Sequence, residues 1–172
     1  MPLLGAYTGA RREELAGLSP ADIIVSDDIP CIQITETSLR RIKNAASKRI
    51  IPIHSRLIEL GFLECVERAR MKGQADLFPD LAEKGSNAHG RKLGRKFRSA
   101  IDKTLGPEAE VLSFHSLRHY VQTALEERGD ITDKIIRDLL GHEGKDVHER
   151  VYSKQSSTHL LQAAIERLPQ VV

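Results

Sequence analysis

Apolar residues recur along this chain with two different spacings, and each change of spacing marks a change of element. Residues 1–18 carry helical spacing. Leu3, Leu4, Ala6 and Tyr7 close an apolar helix that starts in mid-element, Thr8-Gly9 interrupt it, and Leu15 and Leu18 give a second short helix its apolar side before Ser19-Pro20. Residues 22–53 switch to short β-branched runs bounded by turn residues: Ile23-Ile24-Val25, Cys31-Ile32-Gln33-Ile34 and Arg49-Ile50-Ile51-Pro52-Ile53. Their connections are too short for helical crossovers, which predicts an antiparallel sheet. A polar basic turn over residues 37–47, with Lys43 within it and Lys48 just after it, joins the second and third runs.

Helical spacing then returns. Leu57, Ile58, Leu60, Leu63, Val66 and Ala69 predict a helix over 55–72 with a break at Gly61. Residues 74–90 read as a loop whose Leu77-Phe78-Pro79 plugs the core. Residues 91–105 read as a basic amphipathic helix, with Leu93, Phe97 and Ile101 inward, Lys92, Arg95, Lys96 and Lys103 outward, and Gly106-Pro107 closing it. Ser113 is placed to cap a helix running from Phe114 or His115 to Arg128, with Gly129 beyond its end. Thr132 or Asp133 opens the next, with Ile135, Ile136, Leu139 and Leu140 inward, and Gly141 ends it, so His142 lies just past a terminus. Residues 147–152 are a short helical or extended piece. A last helix over 157–168 shows the stripe Leu160, Leu161, Ala164, Ile165 and Leu168. The fold class predicted is α+β, mostly α-helical with a small three-stranded antiparallel sheet. Tyr7 and Tyr120 lie on apolar helix faces and read as core.

Composition narrows the classes. A chain of 172 residues with 40% hydrophobic and 29% charged residues fits one soluble domain with its own core. No apolar run approaches a membrane span, and the first residues lack a basic-then-apolar signal pattern. Cys31 and Cys65 have neither metal spacing nor a disulfide framework, as expected in a reducing cytoplasm. Net charge is only +2, but the basic residues cluster: Arg40, Arg41, Lys43, Lys48 and Arg49, then Arg91, Lys92, Arg95, Lys96 and Arg98. Clusters on one face hold phosphates even when the total charge is nearly balanced. With no Trp and few aromatics, a stacking platform for single strands is disfavoured.

The chemistry centres on His115-Ser116-Leu117-Arg118. Residues i and i+3 of a helix share a face, so an imidazole and a guanidinium fork point into one pocket. Arg11 stands at a helix start, beside free backbone N–H groups that favour an anion; the competing reading is a solvated Arg11-Arg12 pair balanced by Glu14 or nearby acids. His115 and His119 stand at i and i+4, but Ser116 follows the first histidine where a zinc hydrolase has Glu. No G-x-S-x-G elbow and no phosphate-binding P-loop is present, so neither a serine hydrolase nor ATP use is indicated.

Thr8-Gly9-Ala10-Arg11, a hairpin lysine, His115-Ser116-Leu117-Arg118-His119, Leu139-Leu140-Gly141-His142 and Tyr152, in that order, resemble the catalytic domain of a tyrosine recombinase of the phage-integrase family. Lys48-Arg49-Ile50-Ile51-Pro52-Ile53-His54 is similar to the third strand of that family's sheet. The resemblance covers nearly the whole chain and implies that residues 1–172 are the catalytic domain, with the family's N-terminal DNA-clamping domain absent from this chain. It implies a site-specific recombinase that cleaves and rejoins duplex DNA through a 3′-phosphotyrosyl link, integrating or excising a mobile element, with no cofactor or metal. Tyr152 would be the nucleophile, and Arg11 and Arg118 would clamp the phosphate. Lys43, with Lys48 as the alternative, would protonate the leaving oxygen, His115 would assist Tyr152, His142 would hydrogen-bond the phosphate, and Glu14 would support Arg11. Arg40, Arg41, Lys48, Arg91, Lys92 and Arg95 are the expected DNA contacts. The family implies a tetramer on DNA for the full-length protein, and a monomer is expected for this domain alone. Two other functions fit the same residues: a type IB topoisomerase, and a catalytically silent DNA-binding fragment.

Overall fold

In a computed structural model that describes residues 1–38, 40–82, 88–106, 109–143 and 155–171, the chain opens with helices α1 (Pro2–Thr8) and α2 (Arg12–Ala16). Gly9 parts them with φ 60°, a left-handed conformation that suits a residue without a Cβ. Its missing Cβ also makes room: one built there would collide with a Leu140 methyl carbon.

The sheet follows, with strands β1 (Ile23–Ser26), β2 (Ile29–Ile34) and β3 (Arg49–Pro52) in the order β1-β2-β3, both pairs antiparallel. Ile32 sits opposite Ile23 on one side and Ile51 on the other. The turn from β1 to β2 uses Asp27 and Asp28, both at positive φ (51° and 62°), the twist that a tight hairpin requires and that Asp tolerates. Along β3 the alternation turns Arg49 and Ile51 inward, and Ile53 continues it; all three are buried.

Six further helices complete the described residues: α3 (Ser55–Glu59), α4 (Phe62–Met71), α5 (Ala88–Leu105), α6 (Phe114–Glu126), α7 (Asp133–Leu140) and α8 (Thr158–Ile165). Gly61, at φ 82°, makes the break between α3 and α4. The fold is mostly helical with one three-stranded antiparallel sheet, as the spacing predicts, although α5 begins before Arg91. One core unites the elements: Tyr7 of α1, Leu15 of α2, Ile32 and Ile51 of the sheet, Leu125 of α6, Leu139 of α7, and Leu161 and Ile165 of α8 are fully buried.

Three expectations need correction. Leu160 does not join the inward stripe of α8 but is 53% exposed, since helical neighbours point about 100° apart and Leu161 takes the core side. Tyr120 is half-buried at the edge of the core, unlike Tyr7. Arg40, expected to face DNA, is buried: its guanidinium donates two bonds of 3.0 Å to Asp22 and others to the carbonyls of Thr35 and Gly17. The buried Asp22 carboxylate needs a cation, and Arg40 supplies it while pinning the β2–β3 connection to the end of α2. No helix among the described residues is long and apolar enough to cross a membrane.

Candidate active site

The site starts from the cap of α6. Ser113 Oγ accepts from the His115 N–H (3.2 Å), and Ser116 Oγ accepts from the Ser113 N–H (3.1 Å), closing a reciprocal cap that sets the first turn. One turn on, Arg118 runs inward and is 3% exposed. Its Nη1 donates to the Gly9 carbonyl at 2.9 Å, whereas its Nη2 is buried with no hydrogen-bond partner. His115 and His119 stay exposed, their rings edge to face at 4.7 Å.

Arg11 approaches from the start of α2. Its Nη1 donates to Glu14 Oε1 (2.9 Å) and Ser47 Oγ (3.2 Å), and its Nη2 donates to the Gly141 carbonyl (3.0 Å). Glu14 is buried and accepts from four N–H groups: the Arg11 backbone and Nη1, and Arg49 Nη1 and Nη2. Gly141, at φ 68°, ends α7 and turns the chain into His142, whose N–H donates to the Arg137 carbonyl. Five segments thus meet: the Gly9 turn, the start of α2, the start of β3, the first turns of α6 and the end of α7.

The electrostatics follow from one buried carboxylate among three arginines. Burial alone would raise the Glu14 carboxyl, but the Arg49 charge and bonds, with those of Arg11, outweigh it and hold it at about 2. Arg118 falls to about 9, through burial first and then repulsion from Arg11 and Arg49, with Glu14 opposing. His142 falls to about 4, again through burial first and then Arg118, Arg11, Arg49 and His115. His115, though exposed, is lowered by partial desolvation of its ring first, then by His119 and the arginines, against Glu13. Repulsion among these groups is what a bound anion would relieve, and Arg118 Nη2 is a donor held ready for one.

The structure therefore brings Arg11, Arg118, His142, His115 and Glu14 together. Tyr152 lies outside the described residues. Lys43, Lys48 and Arg41 are exposed on and beside the β2–β3 connection. Arg91 and Arg95 of α5, both exposed, line a groove with Arg12 and Arg98, while Lys92 is half-buried. No group of three His, Cys, Asp or Glu side chains able to hold a metal is present among the described residues. Sequence reasoning gave no site role to Arg49 or Ser47. The signal for Arg49 was present in its position: a charge at the head of an apolar strand, on the same alternating face as Ile51 and Ile53, has to be paired inside.

Helices gathered round a small antiparallel sheet, with a cluster of arginines where five segments converge, define an α+β domain. The chain belongs to the phage integrase family, which residues 1–159 match. It is 30% identical over 169 residues to a protein named Integrase from Streptomyces ambofaciens, a match covering 89% of this chain and 43% of that protein. The chain therefore spans less than half the length of that curated relative. No solved structure matches it at a significant level.

Proposed function

We propose that this chain is the catalytic part of a site-specific DNA recombinase that breaks and rejoins strands through Tyr152. The Tyr152 phenol oxygen attacks a backbone phosphorus, the bond to the 5′ oxygen breaks, and a 3′-phosphotyrosyl link forms with a free 5′-hydroxyl. His115 takes the phenol proton, and Lys43 donates a proton to the leaving oxygen. Arg11 and Arg118 hold the non-bridging oxygens as charge builds on them, and His142 adds a hydrogen bond. Guanidinium charge and a protein nucleophile meet the needs of the step without a metal or nucleotide. Attack by a 5′-hydroxyl from a partner strand reverses the step and exchanges strands, which integrates or excises a mobile element.

The observation that carries this reading is Arg118 Nη2, a buried donor without a partner, beside Arg11 and Arg49, which have one buried carboxylate between them. The test uses nicked suicide duplexes cut from the DNA flanking the gene. The wild-type chain should form a covalent adduct that survives denaturation, and Tyr152→Phe should form none. Absence of the adduct, or its persistence in Tyr152→Phe, overturns the proposal. Relaxation of supercoiled DNA carrying no paired site would move the reading to a topoisomerase.

A further inference from the structure

We propose that Arg49 is a positioning residue for that reaction: through Glu14 and the Leu139 carbonyl it aims the Arg11 guanidinium and holds the turn that carries His142, without touching the phosphate. The inference rests on the function proposed above.

Arg49 is the first residue of β3, and its side chain is 1% exposed. Its donors run to three different segments. Nε bonds the Leu139 carbonyl near the end of α7 (2.7 Å), Nη1 bonds the Ser47 carbonyl (2.9 Å) and Glu14 Oε1 (3.2 Å), and Nη2 bonds Glu14 Oε2 (2.8 Å). Nη1 has no hydrogen left for a ligand, and the guanidinium lies beneath the Gly141 turn. A Cβ on Gly141 would sit 2.8 Å from Arg49 Nη1 and 3.0 Å from its Cζ.

The same carboxylate that Arg49 grips with both Nη atoms also receives Arg11 through its backbone N–H and Nη1. Glu14 therefore has a fixed orientation only while both arginines hold it, and Arg11 Nη2 reaches the Gly141 carbonyl only while α7 ends where Arg49 anchors it. A guanidinium can serve three segments because its donors are spread in a rigid plane; an ammonium of equal charge cannot. Small displacements of a clamp cost rate rather than binding, since a misplacement of about 1 Å can cost about 10²-fold.

The experiment follows single-turnover adduct formation by the full chain on the nicked duplex at saturating DNA, with DNA affinity and its salt dependence measured in parallel. Arg49→Lys should slow the rate constant by about 10- to 100-fold, with the final adduct yield, the DNA affinity and the salt dependence kept. Adding Glu14→Gln should slow it little beyond the slower single variant, because the two act through one link. An unchanged rate constant overturns the inference. So does a lower yield at an unchanged rate constant, which marks a merely structural role, and so does a loss of affinity with a shallower salt dependence, which marks a direct phosphate contact. Where Arg49→Lys does not fold, the charge-balanced double variant Glu14→Gln with Arg49→Met replaces it, and an unchanged rate constant there overturns the inference equally. A wild-type chain that forms no adduct overturns the proposed function, and this inference with it; a wild-type adduct with an unaffected Arg49→Lys overturns the inference alone.

Discussion

Replacing Arg40 with methionine should cost about 3–5 kcal/mol, because Asp22 would stay buried without its cation. Urea unfolding measures that loss, and the salt dependence of DNA binding should not change, since the guanidinium never reaches the surface. Glu14 makes a different kind of case. Its folded pKa of about 2 lies below its ordinary 4.5, so the folded state holds the proton less tightly than the unfolded chain. The resulting stability, roughly 3 kcal/mol, is fully present above 4.5 and is lost as pH falls towards 2. Unfolding followed from neutral to acid pH should show that limb, and Glu14→Gln should make it shallower. His142, held at about 4 in the free chain, should titrate higher once a phosphodiester sits beside Arg11 and Arg118, because an anion favours the imidazolium. Imidazole proton shifts in NMR, with and without duplex, check this; an unmoved His142 would place the phosphate elsewhere.

Short elements carry the site, and their ends do more than their interiors. Arg11 precedes α2, Gly141 and His142 follow α7, Arg49 begins β3, and His115 sits in the capped first turn of α6. Gly9 is the joint that lets α1 and α2 part while Leu140 and Val121 close over it. Gly9→Ala should cost about 1–2 kcal/mol for its left-handed backbone and about 1–3 kcal/mol for the crowding, read as a lowered thermal midpoint. Its carbonyl holds Arg118, so adduct formation should fall with stability. Gly94 plays a related part on α5. A Cβ there would lie 2.5 Å from Arg12 Nη1, so its absence lets α2 lay a guanidinium against the helix that presents Arg91 and Arg95.

At the scale of the molecule, the near-neutral total hides an uneven distribution: a cluster of arginines on one set of element ends and an arginine-lined groove between α2 and α5. Duplex DNA held through phosphates at such places should bind with log affinity falling linearly with log salt. Replacing Arg91 and Arg95 with alanine should lower the slope by about 0.9 for each phosphate no longer neutralised. Fluorescence anisotropy across graded salt measures it, and an affinity that stays flat would mean that phosphates are not what the chain holds. On its own the chain is expected to sediment as a monomer.

Helix and strand spacing is a local property, set by the repeat of the backbone itself. The antiparallel sheet, the Gly61 break, the Ser113 cap and the Gly141 stop could therefore all be found from residues near one another in the chain. Arg11, His115, Arg118 and His142 are named through the resemblance of their motifs, taken in order along the chain, to the phage-integrase family. Which charges face inward is not local. Arg40 and Arg49 look alike in a basic run, yet Asp22 and Glu14 claim them across 18 and 35 positions. Arg11 meets the Gly141 carbonyl across 130 positions, and Arg118 meets Gly9 across 109. A buried charge goes where a counter-charge and enough acceptors offset its lost water, and only the packed chain decides where that is.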